Sequence, residues 1–108
     1  MVPIREIIYI QSKDHKLYIT TIDDYFSIPY KSCNAILKEL DCEDFVKCNR
    51  GTIINMSYIK KVDTVNRYIY LRGCKDVLDL GSIMIKSFMH QFKKMTKIND
   101  LIISRNPE

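Results

Sequence analysis

Residues 45–63 read FVKCNRGTIINMSYIKKVD, and the rest of the chain is organised around this stretch. Two apolar pairs, at 45–46 and at 53–54, flank the polar residues 47–50. Gly51 follows at a point where a chain can turn sharply. The pattern predicts a short strand that ends in a cationic loop.

The residue types in this loop suit nucleic acid. Lysine and arginine bind phosphate oxygens, and Arg50 can also donate two parallel hydrogen bonds to a guanine edge. Asn49 can pair in the same bidentate manner with adenine. The alternative interpretation is an exposed hairpin loop with no ligand.

The stretch resembles the signature of the LytTR family of bacterial DNA-binding domains. That signature is a phenylalanine, a basic residue and His-Arg-Ser, followed by an apolar run that ends in asparagine. This chain matches it with Phe45, Lys47, NRG at 49–51 and IIN at 53–55. Lys47 replaces the usual arginine, Asn49 the histidine and Gly51 the serine, and the lysine and asparagine keep side-chain hydrogen-bond donors.

Two further segments bear on the resemblance. Many LytTR domains carry Ser-Lys, a spacer and then His-Arg, and residues 12–16 here read SKDHK. The resemblance therefore implies that His15 contacts DNA, although a lone histidine is more often a surface or core residue. A later family segment, Ser-Arg-Arg or Ser-x-Arg, touches DNA through its arginine. Residues 81–83 read GSI and lack that arginine, so Lys86 is the nearest cation.

The resemblance implies a mainly β fold, with antiparallel strands in small stacked sheets and short helices. It also implies that loops at one edge enter successive major grooves of tandem sites and bend the duplex. The expected base contacts are His15, Asn49 and Arg50. The expected phosphate contacts are Lys13, Lys16, Lys47, Ser82 and Lys86.

The implied function is transcription regulation, as the output domain of a two-component response regulator. The implied partners are double-stranded DNA with tandem sites, a second copy of the chain on DNA, and a receiver domain that this chain does not contain. The alternatives are a single-stranded nucleic-acid binder that stacks bases on tyrosines, and a protein-interaction module. The latter would use residues 41–44 or the apolar stripe of the last helix.

Apolar periodicity predicts the remaining elements. Strands are expected at 4–12, 16–22, 25–28, 59–65, 68–71 and 77–80. Ser32 is a candidate N-cap for a helix over 33–40. A last amphipathic helix is predicted from helically spaced apolar residues, namely Ile85, Phe88, Met89, Phe92 and Met95. We expect one domain over residues 1–95 and a polar tail over 96–108.

Charge is segregated along the chain. Residues 23–44 carry six acidic residues against two lysines, a net charge of −4, and residues 45–72 carry six basic residues against one aspartate, a net charge of +5. Such polarity suits a partner with fixed negative charge on one side, although chance clustering could also produce it. No apolar run is long enough for a membrane span and no signal peptide is present, so a cytoplasmic location is expected.

Cysteine usage and motifs argue against catalysis and metal binding. The four cysteines, at 33, 42, 48 and 74, form no CxxC pair and lack histidines at metal-ligand spacing. No hydrolase, metalloprotease or nucleotide-binding motif is present, so neither an enzyme nor a cofactor is expected. Cys48 carries a separate hypothesis, in which Lys47 and Arg50 lower its pKa and make it a redox-reactive thiol. The alternative is an inert, half-buried cysteine.

Overall fold

The computed structural model of the protein describes residues 2–95, which form two antiparallel sheets and two helices. A five-stranded sheet has the strand order β3-β2-β1-β5-β4, and a three-stranded sheet has the order β6-β7-β8. The strands are β1 (Ile7–Lys13), β2 (Lys16–Thr21), β3 (Tyr25–Pro29), β4 (Phe45–Asn49), β5 (Thr52–Asn55), β6 (Ile59–Asp63), β7 (Tyr68–Leu71) and β8 (Val77–Asp79). The helices are α1 (Cys33–Leu40) and α2 (Ile85–Met95). The predicted mainly β architecture is confirmed, and the predicted tail at 96–108 lies outside the described residues.

The first strand is shorter than the sequence pattern indicates. Residues Ile4–Glu6 form a 3-10 turn, and β1 begins only at Ile7, where it pairs with Thr21 of β2. Thr21 is the last residue of β2, because its hydroxyl and amide close a turn with Asp24 at 2.8 and 2.9 Å. No residue of β2 is therefore available to pair with Ile4, and the β-propensity of Ile4 alone does not extend the sheet.

The five-stranded sheet is the middle layer of the molecule. One face packs against α1 through a cluster that includes Ile10, Leu17, Ile36 and Phe45. The other face packs against the three-stranded sheet and α2 through a second cluster, which includes Ile8, Ile69, Leu78 and Phe88. Successive residues of a strand point to opposite faces, so Ile53 joins the first cluster and Ile54 the second.

Both predicted helices are confirmed. The Ser32 hydroxyl accepts a hydrogen bond from the amide of Ala35 at 3.1 Å and caps α1 as expected. In α2, Phe88 and Phe92 lie four residues apart, so they share a helix face and stack with ring centroids 6.1 Å apart. Their burial attaches α2 to the sheets.

Asn55, which ends the signature stretch, has a structural role. Its side chain is 2% exposed, and its Nδ2 donates to the carbonyl of Ile7 at 3.0 Å. Its Oδ1 accepts from the amide and the hydroxyl of Ser57 at 3.0 and 2.6 Å. Asn55 thus joins the end of β5 to the start of β1 and begins the 3-10 turn Met56–Tyr58.

Candidate nucleic-acid interface

The β1–β2 hairpin presents a polar tip at one end of the five-stranded sheet. Its two turn residues, Asp14 and His15, have φ angles of 51° and 62°, the conformation of a tight hairpin turn that matches strand twist. Lys13 and Lys16 form the last pair of the hairpin on either side. The side chains of Lys13, His15 and Lys16 are exposed to solvent.

The β4–β5 turn lies next to this tip. The amide of Ser12 donates to the carbonyl of Gly51 at 2.7 Å, which joins the two hairpins at their ends. Arg50 is exposed at the turn, and its carbonyl accepts a weak hydrogen bond from the Cys33 thiol at 3.7 Å. The tip segments that the sequence singled out separately are therefore neighbours in space.

The segment between β8 and α2 packs against the other side of the β4–β5 turn. The amide of Gly81 donates to the carbonyl of Cys48 at 2.8 Å. The Asn49 Nδ2 donates to the carbonyl of Asp79, also at 2.8 Å. These contacts place the exposed Ser82 at the same end of the molecule as Arg50.

A fourth turn at this end was not assigned a role from the sequence. The amide of Leu80 donates to the carbonyl of Arg67 at 2.9 Å, so the β6–β7 turn, residues 64–67, lies beside the β8–α2 segment. Arg67 is exposed and has a positive φ of 60°. The sequence pattern predicted this hairpin, but it contains no signal for the direction in which the hairpin points.

We call these four neighbouring segments the loop edge; they are residues 13–16, 49–51, 64–67 and 80–84. Within residues 2–95, the following exposed side chains of the loop edge have no hydrogen bond or ion pair with the protein: Lys13, His15, Lys16, Arg50 and Arg67. Two cations elsewhere are engaged within the protein: Lys31 pairs with Glu39 at 2.8 Å, and Lys61 lies 5.0 Å from the Tyr70 ring centroid. The loop edge therefore offers free hydrogen-bond donors, of which the two lysines and two arginines are cationic, with Asp14 as an acidic residue among them.

The acidic segments lie at the opposite end of the five-stranded sheet. The Asp23-Asp24 turn follows the far end of β2, and residues 41–44 precede the far end of β4. β4 has five residues and therefore spans roughly 16 Å. The charge segregation along the sequence thus becomes a separation in space between a cationic and an acidic end.

Three expected site residues have environments that the sequence did not indicate. The amide of Asn49 is used inside the protein, because its Oδ1 also accepts from the Gly51 amide at 3.0 Å. Lys47 is half-buried within β4, opposite Ile53, rather than at the tip. Lys86 is exposed on the first turn of α2, in a groove that Thr64 and Met89 also line.

The lowered pKa that the sequence predicted for the Cys48 thiol is wrong. The neighbouring cations do not lower the pKa of the Cys48 thiol. That pKa is raised to about 12, chiefly by burial and to a smaller extent by the nearby Asp79 carboxylate. The side chain is fully buried in the cluster that packs under α2. A thiolate is therefore disfavoured at this position.

The described residues contain no cluster of histidine, cysteine, aspartate or glutamate that could hold a metal ion. Neither helix within residues 2–95 is long and apolar enough to cross a membrane.

Comparison with known proteins gives a family match over most of the chain. The family model described as the LytTr DNA-binding domain matches residues 1–97. Among solved structures, the chain is similar to a LytTr DNA-binding domain from a Bacillus cereus protein described as a methyl-accepting/DNA response regulator. That match has a TM-score of 0.72 and 20% identity, and it covers 83% of this chain and 84% of the other. No curated protein sequence gave a significant match.

Proposed function

Because the chain belongs to the LytTR family of DNA-binding domains, we propose that it regulates transcription by binding specific sites in double-stranded DNA through its loop edge. The observation that carries this proposal is the set of free cationic side chains at one end of the molecule. Since the acidic segments lie at the other end of the five-stranded sheet, the loop edge is the end of that sheet that attracts the phosphate backbone. The proposal includes no catalytic step and no cofactor.

The proposed roles follow from where each side chain lies. Arg50 and His15 lie at the ends of two adjoining hairpins, so they can reach base edges once the hairpins enter a major groove about 12 Å wide. Lys13 and Lys16 flank His15 and suit phosphates on either side of the groove. Arg67, on the neighbouring turn, is an additional phosphate contact.

The remaining predicted contacts have smaller or indirect parts in this proposal. Ser82 is a phosphate donor on the β8–α2 segment, and Lys86 extends the cationic surface along α2. Lys47 would have to extend from its half-buried position to reach a phosphate. Asn49 would have to give up its hydrogen bonds to Asp79 and Gly51 in order to read a base, so we propose that it holds the loops in place instead.

The proposal extends to the arrangement on DNA. Two copies of the domain would bind tandem sites about one helical turn apart and bend the duplex between successive grooves. A receiver domain, on a longer chain or a partner protein, would control this binding. The setting would be the cytoplasm of a bacterium.

The first test is selection from a random duplex library at physiological salt, with single-stranded competitor present. Enrichment of a short motif, repeated at about one helical turn, is the expected result. Recovery of duplexes with no enriched motif would contradict sequence-specific binding. Loss of all bound duplex to the competitor would instead indicate a single-strand binder.

The second test separates base reading from phosphate binding on the selected site. Arg50→Ala is expected to weaken binding by about 1–3 kcal/mol and to relax preference at one base pair, because the side chain is free to reach a base edge. Lys13→Ala is expected to weaken binding to all duplexes alike and to reduce the salt slope by about one. Binding is measured by titration at several salt concentrations.

The matched control is Lys38→Ala, which removes the same charge from the last turn of α1, at the acidic end. It should leave affinity and salt slope unchanged. Equal effects of Lys13→Ala and Lys38→Ala would mean that net charge, and not the loop edge, determines binding. Unchanged base discrimination in Arg50→Ala would remove that residue from base reading.

A further inference from the structure

Ile83 is a large apolar residue on the loop edge that the proposed contacts leave unused. It lies in the turn between β8 and α2, and 87% of its surface is exposed. Glycine, proline, asparagine, aspartate and serine are the residues that favour turns, and a β-branched side chain is not among them. Ile83 therefore serves neither the core nor the geometry of its turn.

The turn that carries Ile83 is held firmly on both sides. Before it, Leu80 is buried, and the Gly81 amide donates to the carbonyl of Cys48 at 2.8 Å. After it, the Met84 amide donates to the Gly81 carbonyl at 3.1 Å, and Phe88 is buried in the core. The exposed side chain is consequently presented at a defined place beside the β4–β5 turn.

We propose that Ile83 contacts the C5-methyl group of a thymine in the major groove and so contributes to sequence preference. This inference rests on the proposed function, since it requires that the loop edge faces duplex DNA. A side chain without hydrogen-bond donors distinguishes bases in the major groove by apolar contact, and thymine alone offers a methyl group there.

Charge complementarity favours DNA over a protein partner as the occupant of this surface. Free cations lie on the segments beside Ile83, including Arg50 on one side and Arg67 on the other. Phosphates bound by Arg67 and by the hairpin lysines Lys13 and Lys16 would bring the floor of the major groove towards the loop edge. An apolar side chain among them then meets base edges and not solvent.

The test uses the duplex selected above, with each thymine replaced in turn by deoxyuridine. This replacement removes one methyl group and keeps all base-pairing groups. For the wild-type chain, one replacement should weaken binding about fourfold, the factor expected for losing the burial of a single methyl group. Ile83→Ala should bind the thymine and deoxyuridine duplexes with equal affinity.

Ile22→Ala is the matched control, because Ile22 is an exposed isoleucine at the acidic end of the five-stranded sheet. It should retain the fourfold preference for thymine. If the wild type binds its site but no deoxyuridine replacement weakens binding, or if Ile83→Ala keeps the same preference, the role of Ile83 is overturned. If the wild type selects no duplex motif at all, it is the proposed function that fails.

Discussion

Asn49→Ala tests whether the loop edge depends on hydrogen bonds between its segments. The Asn49 side chain connects two of them, since Nδ2 donates to the Asp79 carbonyl at 2.8 Å and Oδ1 accepts from the Gly51 amide at 3.0 Å. A third contact, from Nδ2 to the Cys48 thiol at 3.9 Å, is too long and weak to contribute much. Alanine removes all three contacts but leaves the strand position intact.

The expected loss of stability follows from these contacts. A hydrogen bond makes a net contribution of about 0.5–1.5 kcal/mol to stability. The bond to Gly51 is partly buried and the bond to Asp79 is exposed, so we expect Asn49→Ala to cost about 1–2 kcal/mol. In a domain of this size each kcal/mol lowers the melting temperature by about 4–8 °C. Asn49→Asp should cost at least as much, because its carboxylate faces the Asp79 carbonyl oxygen.

Two assays measure the two consequences. Urea unfolding followed by circular dichroism gives the free energy of unfolding, with Asn34→Ala on the exposed face of α1 as the control. That control should stay within about 0.5 kcal/mol of the wild type. Binding to the selected duplex and to its single-base-pair variants should weaken by a similar factor for every sequence, because the hairpins lose their fixed spacing.

The opposite pattern would refute this reasoning. If Asn49→Ala unfolds at the same urea concentration as the wild type but loses preference at one A·T base pair, then Asn49 reads adenine directly. Its amide would then exchange the contacts with Asp79 and Gly51 for contacts with the base.

Four further predictions concern the core. Asn55→Ala should lower the free energy of unfolding by about 2–4 kcal/mol, because it removes the hydrogen bond that Asn55 donates to the carbonyl of Ile7. Urea unfolding with the same Asn34→Ala control measures this loss. A loss below about 1 kcal/mol would contradict the structural role of Asn55. Phe88→Ala should cost about 3–5 kcal/mol and detach α2, and retention of the wild-type melting temperature would contradict its place in the core. Cys48 should resist iodoacetamide at pH 8 while Cys33, Cys42 and Cys74, which are only partly buried, react, as peptide mapping would detect. The pKa of the Cys48 thiol is raised from 9.0 to about 12, so the thiol deprotonates at a lower pH in the unfolded chain than in the folded chain. The buried thiol therefore stabilises the fold fully below about pH 9, and this stabilisation is lost as the pH rises to about 12. Cys48→Ala should therefore lose less of its free energy of unfolding between pH 9 and pH 12 than the wild type does. The loss that remains is due to Tyr9, whose pKa is raised to about 12 by burial and by its hydrogen bond to Asp76. An equal loss in the variant and the wild type would contradict the contribution of the Cys48 thiol.

Local sequence patterns determined most of the secondary structure and pointed to the loops. Alternation and β-branched residues predicted the strands, and Ser32 predicted the start of α1. The polar residues 12–15 and 47–50 predicted two loops that follow strands. These features depend on residues close together in the chain, so they can be recognised before the fold is known. The signature stretch also indicated the family, which the match over residues 1–97 confirms.

The tertiary structure alone decided which segments meet and which side chains are free. Arg67 and Gly81 join the loop edge because the two sheets stack on a shared apolar cluster, and residues far apart in sequence then exchange hydrogen bonds. The same stacking buries Cys48, although polar residues surround it in the sequence: Lys47 precedes it, and Asn49 and Arg50 follow it. Apolar periodicity specifies that a strand face is buried, but the relative position of two buried faces depends on how their side chains pack together. That packing, and not the local sequence, sets the charge environment of each residue at this end of the molecule.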